Sequence, residues 1–94
     1  MDDRDKAAPR EKLRAAVDHA LGGDWQKAHL IVQDYEDDPT AAWIHAVVHR
    51  IEGDLANAGY WYRRCRRALR EEVSTHDELR EIAAALRAGP PADR

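Results

Sequence analysis

The residues of this sequence best suited by type and spacing to do chemistry are two histidines four apart, His45 and His49. On a helix such positions project from one face on successive turns, and Glu52, three residues further on, falls on the same side. Two imidazoles and a carboxylate so placed can hold zinc or non-haem iron while leaving coordination positions open for water. His29, on what the pattern makes the neighbouring helix, is a further candidate ligand. The string His45-Ala46-Val47-Val48-His49 shares its histidine spacing with the zinc-protease motif His-Glu-x-x-His. Ala46 stands where that motif needs its glutamate general base, which speaks against protease chemistry. The competing reading is structural: histidines at an internal helix contact, hydrogen-bonded to a nearby carboxylate or tyrosine.

A second cluster consists of Arg63, Arg64, Arg66, Arg67 and Arg70. Read as one helix, most of these guanidiniums spread over the face opposite Leu55, Tyr62 and Leu69, with Tyr60 pointing outward among them. Such a patch can take phosphate, an acidic peptide or RNA through bidentate and stacking contacts. Glu71, Glu72 and the acidic run Glu36-Asp37-Asp38 are placed to neutralise part of it. With 15 Lys and Arg against 18 Asp and Glu, the net charge of −3 argues against general nucleic-acid binding, and no sequence-specific nucleic-acid partner is expected. Nucleophilic catalysis finds no constellation: the only serine, Ser74, falls near an expected helix cap, and the only cysteine, Cys65, lies on an apolar face where it reads as packing. There is no glycine-rich phosphate loop. The chain therefore reads as non-enzymatic.

The elements that carry these residues follow from an internal repeat. Ala16, Val17, His19, Gly23, Asp24 and Ala28 recur 30 residues later as Ala46, Val47, His49, Gly53, Asp54 and Ala58. A period of this size marks stacked helix pairs, each unable to bury its apolar face alone. Helical spacing predicts a first helix from Pro9 through Leu21 and a second from the cap Asp24 to about Tyr35. A third runs from Asp38-Pro39 to Glu52, with Trp43, Ile44, Val47, Val48 and Ile51 covering so wide an arc that it should be central. A fourth is capped by Asp54 and reaches Leu69. A fifth opens on a capping box, Thr75 with Glu78, and carries Leu79, Ile82, Ala83 and Leu86. The expected fold is all-α: two antiparallel helix pairs plus a C-terminal capping helix, spanning 9–88 as a single domain between flexible tails at 1–8 and 89–94. The charged start carries no apolar signal region and no segment is apolar enough to span a membrane, so the expected compartment is the cytoplasm.

Gly-Asp at the start of each second helix, with alanine five residues after the glycine, resembles the tetratricopeptide repeat. That resemblance covers roughly 10–66. It implies that Ala16 meets Ala28 and Ala46 meets Ala58, so that paired backbones approach closely. The aromatic expected four residues after the second-helix alanine is Tyr62 in the second repeat and Val32 in the first. The period departs from the family's usual spacing of about 34, and Lys12, Ala15, Ala42 and His45 fill its first-helix Trp and Leu positions. The segment from Trp43 through Gly53-Asp54 to Tyr60-Trp61-Tyr62-Arg63-Arg64 is also similar to a family of short bacterial proteins, a likeness that implies no particular activity.

In the tetratricopeptide registration the first and third helices line one surface, which sets Trp43, Val47 and Ile51 beside Leu13, Val17 and Leu21. Large apolar side chains gain ~1.5–3 kcal/mol each on burial, so this stripe needs a cover: the fifth helix, a second copy, or a partner's helix. The leading functional expectation is a helical-repeat scaffold that binds a protein or peptide, an acidic one among them, or self-associates as a homodimer. It would use Trp43, Val47, Arg50 and Ile51, with Tyr60, Arg63, Arg64 and Arg67 beside them and no cofactor. The alternative is a metal-binding protein or enzyme with zinc or iron at His45, His49, Glu52 and His29.

Overall fold

Aspartates start three of the helices, and left-handed turns end three of them. Asp24, Asp38 and Asp54 each accept from a backbone N–H in the following first turn, of Lys27, Ala41 and Asn57 respectively, as N-caps do. Gly23 and Gly53 adopt φ of 93° and 89°, and the N–H groups of Asp24 and Asp54 reach back to the carbonyls of His19 and His49. These bonds tie off the ends of the preceding helices with glycine in the left-handed position. The computed structural model describes residues 8–88 and places five helices among them: α1 (Arg10–Leu21), α2 (Trp25–Val32), α3 (Pro39–Glu52), α4 (Leu55–Arg64) and α5 (Thr75–Ala88). No strand occurs among the described residues, so the chain is all-α. Among the described residues no helix is long and apolar enough to cross a membrane.

The repeat pairs the helices as its period requires, α1 packing on α2 and α3 on α4. Ala16, Ala28, Ala46 and Ala58 are all fully buried. Helix α3 is the central element: every residue from Ala41 to Val48 is buried, and it touches each of the other four helices. Helix α5 lies across both α1 and α3, burying Leu79, Ile82 and Leu86, while the guanidinium of Arg10 holds the Leu86 carbonyl at 2.6 Å. The apolar stripe is thus covered from within the chain. Trp43 (6% exposed) and Val47 (0%) are interior residues, and Ile51 is half-buried against the core. Their expected role as a partner surface is corrected accordingly.

Three further expectations are revised. Helix α4 ends at Arg64 rather than Leu69, because Arg66 takes a left-handed φ of 63° and the Arg67 N–H closes on the Tyr62 carbonyl at 2.8 Å. Arg66, Arg67 and Arg70 therefore sit on the connection to α5, where Leu69 still packs on the core. At the start of α5 the cap is Ser74, whose Oγ accepts from the Asp77 N–H at 3.0 Å, so Thr75 and Glu78 form no capping box. Glu78 turns inward instead. The expected tails at 1–7 and 89–94 lie outside the described residues, but Ala8 belongs to the packed domain: it is buried and its N–H donates to Asp38 Oδ2 at 2.8 Å.

Glu78 is 1% exposed and organises the contact of three helices. Its Oε1 accepts from Arg50 at 2.7 Å and from the Tyr62 hydroxyl at 2.6 Å, and its Oε2 accepts from Trp43 Nε1 at 2.8 Å. Arg50 also donates to the Val73 carbonyl at 2.7 Å, which fixes the approach to α5. Arg50 is thus occupied inside the protein and is withdrawn from the expected partner surface. Burial and the adjacent Glu78 push the Tyr62 phenol well above its usual range, so it remains a donor.

Removing one member of such a buried pair leaves the other charge uncompensated. Glu78→Ala is expected to destabilise the fold by about 3–5 kcal/mol in urea unfolding, with Glu78→Gln losing less because its amide oxygen, in the place of Oε1, still accepts from Arg50 and Tyr62. Arg66→Gly, which relieves a left-handed non-glycine residue, is expected to raise stability by about 1 kcal/mol in the same measurement.

Candidate functional site

On the side of α3 away from α5, helices α2 and α4 both pack on α3, with their backbones apart from each other. The histidines meet here. His45 and His49 come from α3, one turn apart, and His29 reaches them from α2. The ring of His29 is edge-on to His45 at 4.8 Å and to His49 at 5.5 Å, while His45 and His49 stack at 5.1 Å. One ring nitrogen from each of the three lies within 4.8 Å of the others. Zinc bonded to nitrogen at about 2.0–2.1 Å in a tetrahedron needs such atoms about 3.3 Å apart, so closure asks for an approach of up to about 1.5 Å.

Helix α4 contributes the far wall. The indole of Trp61 lies flat on His45, with ring centroids 3.9 Å apart and planes 12° from parallel. Over Trp61 sits the Arg64 guanidinium, 5.2 Å from the indole centroid, held by the Tyr60 hydroxyl at 3.1 Å, Asp37 at 3.0 Å and the Glu36 carbonyl at 3.3 Å. His45 is therefore packed between α2 and α4 and is only 4% exposed, whereas His29 and His49 are half-buried.

Glu52 is not one of the three clustered donors. Its Oε1 lies 3.0 Å from His49 Nδ1. With Nδ1–H donating to Glu52, the lone pair of neutral His49 is on Nε2, and the carboxylate orients the ring as outer partners of metal-bound histidines do. Glu52 and Asp54 also flank His49 as a separate, more exposed group, with Asp54 kept below the usual carboxylate range by the side chain and backbone of Asn57.

His45 Nδ1 is buried and has no hydrogen-bond partner among the described residues. An unsatisfied polar atom of this kind costs about 1–3 kcal/mol. The reading of His45 as a histidine satisfied by a carboxylate or tyrosine therefore does not fit it, although the Glu52 contact gives His49 such a partner. Burial first, then repulsion from His29, His49 and Arg64, hold the His45 imidazole at about 3, so it is neutral with a free lone pair at ordinary pH.

Of the residues expected at a partner surface, Tyr60, Arg63, Arg64 and Arg67 reach the surface. Arg67 stacks over Trp43 with its guanidinium carbon 3.4 Å from the ring centroid. Cys65 is half-buried, its thiol pushed up by burial and donating to the Tyr62 carbonyl at 3.4 Å, in keeping with a packing role. Sequence reasoning missed Trp61 as a wall of the histidine site and Glu78 as the internal anchor. For Glu78 a signal exists, since it stands four residues before Ile82 and eight before Leu86 on the apolar stripe of α5. For Trp61 none does, because its partner comes from another helix. Comparison with protein-family models, curated proteins and solved structures finds no match to this chain.

The neutrality of His45 has a consequence for stability. Unfolded, it takes up a proton near pH 6.5, but folded only near pH 3. Between those values the unfolded chain holds more protons, so acid favours unfolding. The chain is expected to lose about 1 kcal/mol per pH unit from this group as pH falls through that interval. His45→Phe, which keeps the stack on Trp61, is expected to flatten the pH dependence of urea unfolding there.

Proposed function

We propose that this chain binds one first-row transition-metal ion, zinc by preference, through His29, His45 and His49, on a scaffold of two tetratricopeptide-like helix pairs closed by α5. The observation that carries the reading is the buried, unpartnered nitrogen of His45 within a cluster of three imidazoles. Stability alone gives no reason to keep an imidazole there, because an apolar ring of the same shape would stack on Trp61 without leaving a polar atom unsatisfied. A ligand nitrogen in the metal-free protein has this character: neutral, dehydrated and held in place.

The donor set favours zinc over iron. Imidazole nitrogens suit zinc, copper, nickel and iron alike, but the open non-haem iron site uses two histidines and one carboxylate as direct ligands. Here the carboxylate lies behind His49 and the third ligand is an imidazole. Three neutral nitrogens leave the fourth position of a tetrahedral zinc for water or an external ligand. His29 and His49, half-buried, mark the side from which the ion enters.

The test is a titration of chelator-treated protein with Zn²⁺ by calorimetry, and with Co²⁺ by visible absorption. One equivalent is expected to bind, with the intense bands of four-coordinate cobalt. His29→Ala, His45→Phe and His49→Ala are each expected to weaken binding by about 100-fold or more, and Glu52→Gln by about 10-fold. A wild type that binds no better than the triple-histidine variant would overturn the assignment.

A further inference from the structure

The two repeats end in turns of opposite charge. After α2 the chain carries Asp34, Glu36 and Asp37, and 30 residues on, after α4, the equivalent positions are Arg64, Arg66 and Arg67. Arg63, one residue before this set, is the mate of Gln33. The two turns lie side by side, because Arg64 on one reaches Asp37 on the other at 3.0 Å. That single bridge leaves much of both lobes unmatched. Asp34 and Glu36 are exposed, and Arg63, Arg66 and Arg67 are exposed and form no salt bridge among the described residues. Arg66 is held at φ 63°, where the other two helix-ending turns have glycine, so its direction is set by the backbone.

The same face carries exposed apolar surface that the fold does not use. Leu30 is 60% exposed on α2 and Tyr60 is 43% exposed on α4, and they are repeat mates, each four residues before its charged turn. Helix α5 packs on α1 and α3 and reaches α4 only through the Glu78–Tyr62 hydrogen bond, so it does not cover this side.

From this juxtaposition we infer that the α2–α4 face is a self-complementary interface joining two copies of this chain about a two-fold axis. Arg63 and Arg66 of one copy set against Asp34 and Glu36 of the other, twice, while Arg67 stays stacked on Trp43. A two-fold contact uses the same patch on both subunits, so it needs opposite charges side by side on one surface, and this arrangement supplies them. An acidic lobe and a basic lobe of equal extent match each other better than either matches a uniformly charged partner, which would face like charge over half the contact. Leu30 and Tyr60 then meet across the axis and lose their exposure to water. The Arg64–Asp37 bridge inside each copy already shows how the basic turn engages the acidic one. None of the residues named for this contact is a histidine, so the charge variants test self-association without removing a proposed metal ligand.

The experiment is light scattering and sedimentation of the full chain over a concentration series, at low and high salt. The wild type is expected to form a dimer that weakens as salt rises. The double variants Arg63→Glu/Arg66→Glu and Asp34→Arg/Glu36→Arg are each expected to lose at least about tenfold in dimer affinity, and an equimolar mixture of the two to restore it. Leu30→Asp gives a second, charge-independent loss. Circular dichroism of each variant establishes that it is folded. A wild type that stays monomeric up to about 1 mM, folded variants that dimerise like the wild type, or a mixture that fails to recover would each overturn the inference. So would a monomer that captures a polyglutamate peptide on the arginines, which would assign the face to a foreign acidic partner.

Discussion

The architecture depends on a carboxylate that has no access to water. Glu78 reaches the interior from α5 and meets Arg50 and Trp43 on α3 and Tyr62 on α4. A buried charge is tolerated only when it is paired and its lone pairs are filled, and here both oxygens are engaged. The consequence is geometric. Leu79, Ile82 and Leu86 are apolar contacts without direction and would tolerate α5 sliding along the groove of α1 and α3. The three donors to Glu78 allow one placement. Arg70, 3.7 Å from the same carboxylate and paired with Glu81, extends the network to the connection that delivers α5.

Helix α3 then has two faces with opposite polar economies. Towards α5 its polar groups are matched: Trp43 Nε1 has an acceptor, and Arg50 has a carboxylate and a carbonyl. Towards α2 and α4 the matching stops, and His45 is enclosed by His29, His49 and Trp61 with a nitrogen left over. The two conditions occur one turn apart on the best-buried helix of the molecule. Local strain and unsatisfied groups concentrate where a structure does something besides fold, and they persist only where the surroundings hold them. The well-satisfied face holds this one.

The 30-residue internal repeat accounts for much of the rest. The turns Gly23-Asp24 and Gly53-Asp54 are the same device used twice, a left-handed glycine that ends one helix and an aspartate that begins the next. Equivalent turns after α2 and α4 carry opposite charge, and Arg66 takes a left-handed conformation where its repeat mate is Glu36. Helix α5 has no counterpart in the repeat. It closes a two-repeat stack whose apolar surface would otherwise face water, as terminal caps do in longer stacks.

Sequence alone determined the helices, the three aspartate caps, the central place of α3 and the meeting of His45 with His49, because these follow from spacing along one chain direction. A 30-residue period, an aspartate before each of three helices and an unbroken apolar arc on α3 are local signals, and local backbone physics reads them without ambiguity. Tertiary structure alone decided which element covers the stripe, that Arg50 and Trp43 face inward to Glu78, that His29 joins the α3 pair while Glu52 stands behind His49, and that Trp61 walls the site. It also ended α4 at Arg64, where the apolar spacing continued to Leu69. Each of these depends on a pairing between residues far apart in the chain. Helical periodicity gives the face a side chain occupies but not what arrives against that face, and the strongest interactions here, a buried carboxylate and a stacked imidazole, are made with what arrives.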